Sequence, residues 1–271
     1  MIALEDGFAD IIGKAQRGLR LSDTELAERA RVSSQKIRKL REGEFDEMAL
    51  LRVAGVLNLA NRPLCELAAG EWHPRPVKLE GLAQFSTLYH DMRVNAYLLW
   101  HPGGQEAVAF DTGADCSALL AQATKRKLVI KMILLTHAHV DHVADLARLR
   151  EKTGGTVYVS AREPVEGAEL IEEGKSFAAG KLKMETRLTW GHSLGGMTYV
   201  VRGLAQPVAV VGDSLFAGSM GGGGVSYDDA LRNNLEKILT LPEETVLCPG
   251  HGPMTTVGEE KVHNPFFAGQ V

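Results

Sequence analysis

Four potential metal ligands lie within six consecutive residues, in the run His137-Ala138-His139-Val140-Asp141-His142. Imidazole and carboxylate groups are ligands that zinc, iron and manganese sites use in proteins. Because residues i and i+2 of an extended backbone point to the same side, His137 and His139 can share one ion. Asp141 and His142 lie past the bend and can turn toward a second ion. The run therefore predicts a metal site rather than a plain surface turn.

Three later segments each offer one further ligand, and each segment follows a predicted strand. The ligands are His192 in the sequence GHS, Asp213 in GDSLF and His251 in PGHGP. A single Gly-His or Gly-Asp pair is more often part of a turn. Taken together, the three supply the remaining ligands for a site with two ions.

The segments that must position these ligands have the patterns of strands with interspersed helices. Leu128 to Leu135 is apolar except for Lys131 and ends at the first ligands, which is typical of a buried strand. Residues 95–100 and 107–110 flank a Pro-Gly-Gly turn, as in a hairpin. Further strands are predicted over 156–160, 182–188, 197–201, 208–211 and 246–248, and helices over 145–152 and 227–239. This alternation predicts an α/β layered domain.

The ligand segments in chain order, HAHVDH, GHS, GDSLF and PGHGP, resemble the ligand series of the metallo-β-lactamase superfamily. The tail PGHGPMTTVGEEKVHNPF resembles in particular its glyoxalase II-like (hydroxyacylglutathione hydrolase-like) branch. The resemblance covers about residues 84–271 and includes Asn95-Ala96-Tyr97 and Asp111-Thr112-Gly113. It implies an αββα sandwich with the active site at one edge of two packed sheets.

This resemblance also implies a role for each ligand. His137, His139 and His192 would hold one metal, Asp141, His142 and His251 the other, and Asp213 would bridge them. The ions would be two divalent cations, zinc by preference, with iron or manganese as alternatives. They would turn a bound water into a metal-bound hydroxide that attacks a thioester, lactone or related ester. Asp141 would also be catalytic, by orienting the hydroxide.

Two features beside the ligands have open interpretations. Asp111 and Ser193 either fix histidine tautomers or only shape a turn and a helix cap. The four glycines at 221–224 stand in the segment where close relatives carry an arginine-bearing loop. They form either a substrate-gating loop or a plain linker. No long basic helical region follows Phe266, which argues against glutathione thioesters as substrates.

Two alternative functions remain beside a hydrolase that acts on a small molecule. One is a mononuclear iron persulfide dioxygenase of the same superfamily. The other is a DNA-binding regulator whose hydrolase-like domain senses a metabolite. The complete ligand set argues against a domain that has lost its activity.

The first 70 residues have a different character, with short amphipathic helices and no strand pattern. We predict three parts: an all-α domain over 1–70, a proline-containing linker over 71–83, and the hydrolase domain over 84–271. The stretch from Leu21 to Gly43 resembles the lambda-repressor-type helix-turn-helix domain. Arg31 replaces the glycine that is usual in its turn. The second helix would present six polar side chains to DNA: Ser33, Ser34, Gln35, Lys36, Arg38 and Lys39.

The charge around this helix is locally basic. Between residues 14 and 41 nine Lys and Arg residues stand against three acidic residues, although Glu42, Glu44, Asp46 and Glu47 follow directly. DNA is therefore one expected partner. A protein-docking or dimerisation module, and with it a homodimer, is the alternative.

Composition places the chain among ordinary globular proteins, with 45% hydrophobic and 24% charged residues and a net charge of -4. No stretch approaches the roughly 20 apolar residues of a membrane helix. The first 20 residues lack the pattern of a secretory signal. The three cysteines form no CxxC motif, which fits reduced thiols. We therefore expect a cytoplasmic protein without a membrane partner.

Overall fold

Two six-stranded β-sheets pack face to face in the computed structural model, which describes residues 2–270. The first sheet has the strand order β1-β2-β3-β4-β5-β6. It begins with antiparallel pairs, and becomes parallel from β3 onward. Its strands are β1 (Leu82–Tyr89), β2 (Met92–Trp100), β3 (Glu106–Phe110), β4 (Val129–Leu134), β5 (Thr156–Ser160) and β6 (Glu169–Ile171).

The second sheet has the order β12-β11-β10-β9-β8-β7. All its neighbours are antiparallel except β10 and β11, which run parallel. Its strands are β7 (Ser176–Ala179), β8 (Leu182–Leu188), β9 (Met197–Arg202), β10 (Val208–Gly212), β11 (Val246–Pro249) and β12 (Thr255–Thr256). Each sheet therefore contains neighbouring parallel strands, β3 and β4 in the first and β10 and β11 in the second. The carboxyl ends of all four strands lie at the same edge of the sandwich.

Helices cover the outer faces of both sheets and also form the first 70 residues. Five of them precede the sheets: α1 (Phe8–Gly18), α2 (Asp23–Ala30), α3 (Ser34–Arg41), α4 (Glu47–Val56) and α5 (Asn61–Ala68). The others are α6 (Ser117–Lys125), α7 (Val140–Val143), α8 (Leu146–Thr153), α9 (Tyr227–Asn233), which continues as a π-helical turn over Asn234–Ile238, and α10 (Val257–His263). Within residues 2–270, no helix is long and apolar enough to cross a membrane.

The core between the sheets is built from the inward-facing residues of alternating strand positions. Phe110 of β3 packs on Tyr199 of β9 with their ring centroids 5.5 Å apart. Both side chains are fully buried, as are Leu134 and Val210 in the same cluster. This architecture confirms the predicted α/β fold of two sheets flanked by helices.

The ends of the N-terminal helices α2 and α3 are set by capping hydrogen bonds and by one left-handed residue. The Ser22 hydroxyl accepts a hydrogen bond from the backbone N–H of Glu25, whose carboxylate accepts one from the Ser22 N–H, which closes the capping box of α2. Arg31 ends α2 in the left-handed conformation, with φ 52°. Ser33 caps α3. Membership of the helix-turn-helix class, and the domain limits 1–70, 71–83 and 84–271, remain predictions.

One continuous core joins these helices to the second sheet. Ile12 of α1 and Leu50 of α4 belong to the same buried cluster as Val211 and Leu247 on the outer face of that sheet. The closest approach is at Gly18, where a Cβ atom would lie 2.2 Å from the Tyr227 ring. Only a residue without a side chain lets the end of α1 pack this closely on α9.

We expect Gly18→Ala to lower the free energy of unfolding by about 1–3 kcal/mol, because the buried Tyr227 ring must move. Gly55→Ala is the matched control, since that helical glycine is exposed and a Cβ there meets nothing within 4 Å. The control should raise the free energy of unfolding by about 0.5–1 kcal/mol. Urea denaturation measures both, and equal effects of the two substitutions would contradict the close contact.

Candidate metal centre

Seven potential ligands converge at one edge of the sandwich, each from a segment that follows a strand, with Asp141 and His142 on the short helix α7. The run containing His137 follows β4, and His192 follows β8. Asp213 and His251 follow the parallel strands β10 and β11. Because the carboxyl ends of these strands lie at one edge of the two sheets, residues more than 100 positions apart become neighbours.

The first group of ligands consists of three imidazoles and one carboxylate, from His137, His139, His192 and Asp213. Nδ1 of His139 lies 3.0 Å from Nε2 of His137 and 3.1 Å from Nε2 of His192. An Oδ atom of Asp213 lies 3.3 Å from Nε2 of His192. Their potential ligand atoms all lie within 4.8 Å of one another, so one ion could contact all four.

The second group comprises Asp141, His142 and His251. Nε2 of His142 and Nε2 of His251 lie 3.5 and 3.4 Å from the Asp141 carboxylate. Asp213 lies between the groups, because its two oxygens are each 3.3 Å from a histidine of the second group. The structure thus brings all seven predicted ligands together in the division that the resemblance implies. Their binding of ions remains a prediction.

Three of the histidines, His142, His192 and His251, are hydrogen-bonded through Nδ1 to groups outside the ligand cluster. His142 donates from Nδ1 to Asp111 Oδ2 at 2.8 Å, and Asp111 also accepts from the backbone N–H and hydroxyl of Thr136. His192 donates to the carbonyl of Gly222 at 3.0 Å. With Nδ1 as the donor, Nε2 of each ring points into the site, and its lone pair is available to a metal once the ring is neutral. Asp111 therefore makes the contact that the first of its two interpretations, fixing a histidine tautomer, requires.

Ser193 makes no hydrogen bond among residues 2–270 that would fix a histidine tautomer, which was one of its two interpretations. Its side chain is buried, but its hydroxyl oxygen has no hydrogen-bond partner in the described part of the chain. The hydrogen bond behind His192 comes instead from the glycine loop. Behind His251 the acceptor is the carbonyl of Arg93. Sequence patterns could not identify these two acceptors, because every residue carries a backbone carbonyl.

Asn95 and Tyr97 hold the loop that carries His251. The Asn95 amide donates to the carbonyls of Pro249 and Gly252 at 3.0 and 2.9 Å, and the Tyr97 hydroxyl donates to Pro249 at 2.7 Å. Both side chains are almost fully buried. The match of Asn95-Ala96-Tyr97 to the resembled family was the signal in the sequence that could have assigned them this role.

The site fits cations, because two buried polar atoms point into it without a partner. Nε2 of His142 and Oδ1 of Asp213 are 3.3 Å apart, yet neither makes a hydrogen bond within residues 2–270. Uncompensated buried polar atoms are costly unless something else binds them. The backbone leaves room here, since a Cβ on Gly250 would lie 2.1 Å from that same oxygen. A divalent ion would satisfy both atoms.

Electrostatics also favour positive charge in the second group. Burial lowers the pKa of His142, but the carboxylates of Asp213 and Asp111 raise it more, to about 10. The same competition of burial against Asp213 and Asp141 raises the pKa of His251 to about 11. Burial raises the pKa of Asp213, but the two histidines hold it well below its usual value. Cations would supply the charge that these carboxylates stabilise.

In the first group the pKa values of His137 and His192 move the other way, below the ordinary value. Burial, together with the neighbouring His142, holds the pKa of His137 well below its ordinary value. Burial also lowers the pKa of His192, more than Asp213 raises it. Both rings are therefore neutral near pH 7, which is the state that binds metal.

The six side chains predicted to contact DNA are all exposed on or beside α3. Two of the three cations among them have acidic partners. Lys36 pairs with Asp46 and Lys39 with Glu44, each at 2.6 Å. Arg38 lies within 4 Å of no carboxylate of residues 2–270. The acidic segment that follows α3 thus reduces the positive charge available to phosphates.

The sequence model of the metallo-beta-lactamase superfamily matches residues 91–251. A Bacillus subtilis protein named "Probable metallo-hydrolase YqgX" is 33% identical over 202 residues, which cover 66% of this chain and 94% of that protein. A hydroxyacylglutathione hydrolase of Pseudomonas entomophila is 26% identical over 65% of this chain and 66% of the enzyme. The crystal structure of the B3 metallo-β-lactamase BLEG-1 superimposes with a TM-score of 0.60 and 32% identity, covering 69% of this chain and 100% of BLEG-1.

Proposed function

The chain belongs to the metallo-β-lactamase superfamily, which binds divalent metal, and from this premise we propose that it is a hydrolase using two ions to cleave a thioester, lactone or related ester. The observation that carries this proposal is the pair of ligand groups with Asp213 between them. A site for one ion would need neither the second group nor a shared carboxylate.

The choice of an ester or thioester rests on the resemblance of the PGHGP tail and on the hydroxyacylglutathione hydrolase among the relatives. BLEG-1, by its name a β-lactamase, makes a lactam the next candidate. Each of these substrates is an acyl compound in which water attacks a carbonyl carbon. Zinc is the proposed metal, with iron and manganese as alternatives.

In this mechanism the ions, when bound, lower the pKa of water and stabilise negative charge on the substrate's carbonyl oxygen. The protein's own groups would hold the ions and orient the attacking water. The first group would bind one ion through three imidazoles, and the second group would bind the other. Asp141 would accept a hydrogen bond from the attacking water and so orient it toward the substrate carbonyl. Asp111 keeps His142 in the tautomer that presents Nε2.

Metal analysis coupled to a substrate panel tests the proposal. We expect the purified protein to contain about two ions per chain and to hydrolyse an activated thioester or a lactone. Removal of metal with a chelator should abolish turnover, and adding back zinc, iron or manganese should restore it and rank the metals. A phosphodiester belongs in the panel as the control for a different bond. Undiminished turnover after chelation would contradict the proposal.

The alternative function, a persulfide dioxygenase, differs from the proposed hydrolase in that it requires oxygen as a co-substrate. Such an enzyme would consume oxygen in the presence of glutathione persulfide when loaded with iron, and a hydrolase would not. Oxygen uptake with one iron per chain, and no ester hydrolysis, would replace the proposed function by this alternative.

We further propose that the N-terminal helices belong to the helix-turn-helix class and bind DNA through α3. The exposure of all six predicted side chains supports this role, and the pairing of Lys36 and Lys39 with carboxylates weakens it. Binding of random DNA should be detectable at low ionic strength and fall steeply with salt. If no salt-dependent binding is found, a protein-docking or dimerisation role replaces DNA binding, and sedimentation would then report a homodimer.

A further inference from the structure

A cleft of about 1040 Å³ opens beside the metal ligands and is bounded by two distant parts of the chain. One wall carries His139, His192 and the loop 222–226. The opposite wall is the last turn of α1 and the residues after it. The cleft has the size of a small-molecule site, so the N-terminal helices border the space in which a substrate of the metal centre would lie.

Three cations from α1 and its C-terminal turn line this cleft, and they differ in their partners. Lys14 is neutralised, because its ammonium group pairs with Asp6 and also donates to the Met220 carbonyl at 2.9 Å. Arg17 and Arg20 are exposed, and among residues 2–270 no carboxylate lies within 4 Å of either guanidinium. The acidic side chain on the rim is that of Asp228, so the cleft keeps an excess of positive charge.

The wall that carries these arginines is fixed to the metal site. Gly18 lies between them and packs against the Tyr227 ring, and Lys14 ties α1 to the loop before the glycines. The Lys14 ammonium also lies over the Phe216 ring, 4.9 Å from its centroid. The two guanidinium groups therefore project from a packed helix end rather than from a free loop, which suits a binding role.

We infer that α1 is part of the active site, and that Arg17 and Arg20 bind an anionic group at the end of the substrate away from the scissile bond. The anion is a carboxylate or a phosphate, since the guanidinium fork matches both. This inference rests on the proposed hydrolase function for its substrate, but the anion site itself does not require turnover. The preferred substrate is thus an acyl compound with a negative charge at its distal end.

A matched substrate pair tests this specificity. The 4-nitrophenyl thioesters of hexanoic and adipic acid have acyl chains of equal length, and only the second ends in a carboxylate. We expect the protein to prefer the adipyl thioester in kcat/KM. The double variant Arg17→Gln, Arg20→Gln should lower the ratio of kcat/KM for the adipyl thioester to kcat/KM for the hexanoyl thioester about tenfold, mainly by raising KM for the adipyl thioester. The effect is modest because exposed ion pairs contribute little binding free energy. About 0.5 M salt should lower the ratio of the unmodified protein as well.

The matched control is the double variant Arg29→Gln, Arg75→Gln. It removes the same charge from exposed arginines that lie outside the cleft and whose guanidinium groups have no carboxylate within 4 Å among residues 2–270. The control should keep the preference for the adipyl thioester. A preference that survives in the Arg17, Arg20 variant, or that falls equally in both variants, would overturn the inference.

A binding measurement separates this inference from the proposed function. Calorimetry with 6-(4-nitrophenylthio)hexanoate, a thioether that cannot be hydrolysed, needs no turnover, and hexyl 4-nitrophenyl sulfide is its neutral counterpart. Carboxylate-dependent binding that is lost with Arg17 and Arg20 supports the anion site even if no ester is cleaved. Competition by inorganic phosphate or by acetate then identifies which anion the arginines prefer. Equal binding of the acid and its neutral counterpart overturns the site.

Discussion

Replacing Asp213 by asparagine should reduce the metal content from about two ions per chain to one or none, and lower turnover by about 1000-fold or more. Asparagine keeps the shape of the side chain and removes its charge. The Asp213 carboxylate faces histidines of both groups, each at 3.3 Å. Without its charge, two cations would repel each other with no bridging anion between them.

Metal analysis and thioester hydrolysis measure this result, and circular dichroism shows whether the variant is folded. Asp91→Asn is the matched control, since this aspartate is exposed at the turn between β1 and β2. It should keep two ions and full turnover. An Asp213→Asn protein that still binds two ions and turns over normally would show that the carboxylate bridges nothing.

Gly250→Ala should abolish metal binding without touching a ligand. The new methyl group would lie 2.1 Å from Asp213 Oδ1 and 2.6 Å from a ring carbon of His142. The Gly250 backbone cannot move away easily, because the N–H of Asn95 donates to the Gly250 carbonyl at 2.7 Å and the Gly250 N–H donates to the Gly212 carbonyl at 2.9 Å. We expect at least one ion to be lost, and turnover to fall about 100-fold or more, as for other losses of ligand orientation.

Gly222→Ala is the control for this experiment, because it adds the same methyl group near the same site where a Cβ meets nothing within 4 Å. Its metal content should match that of the unmodified protein. If Gly250→Ala also retains two ions by mass spectrometry, the space beside Asp213 is not the one that the ions occupy.

The ligands and central strands were predictable because their signals are local. Strand β4 belongs to an apolar run that ends at three histidines and an aspartate, and its second half, residues 132–134, is buried on both faces of the sheet, which produces such runs. Strands β1, β6, β7 and β12 were not predicted. Strand β1 begins within the predicted linker and is only half-buried along most of its length, while β6, β7 and β12 are short strands at sheet edges. Such strands lack the apolar pattern that marks a core.

The placement of α1 could not be predicted either, because it depends on tertiary contact. The sequence shows Lys14, Arg17 and Arg20 as part of a basic stretch that continues into α3. The structure divides that stretch, since α1 and its C-terminal turn line the metal cleft while the cations of α3 face elsewhere. Nothing in the residues around Gly18 indicates that Tyr227, more than 200 positions away, packs against it.

The carbonyl of Gly222 has a consequence for the thermodynamics of the site. It orients His192 and belongs to a loop that borders the substrate cleft. Ion binding and cleft occupancy therefore act on one and the same backbone segment. If a ligand in the cleft orders this segment, the affinity of the site for the ion increases. The ion must then increase the affinity for the ligand by an equal factor. Because of this reciprocal coupling, the measured affinity for the ion would change when a ligand binds in the cleft.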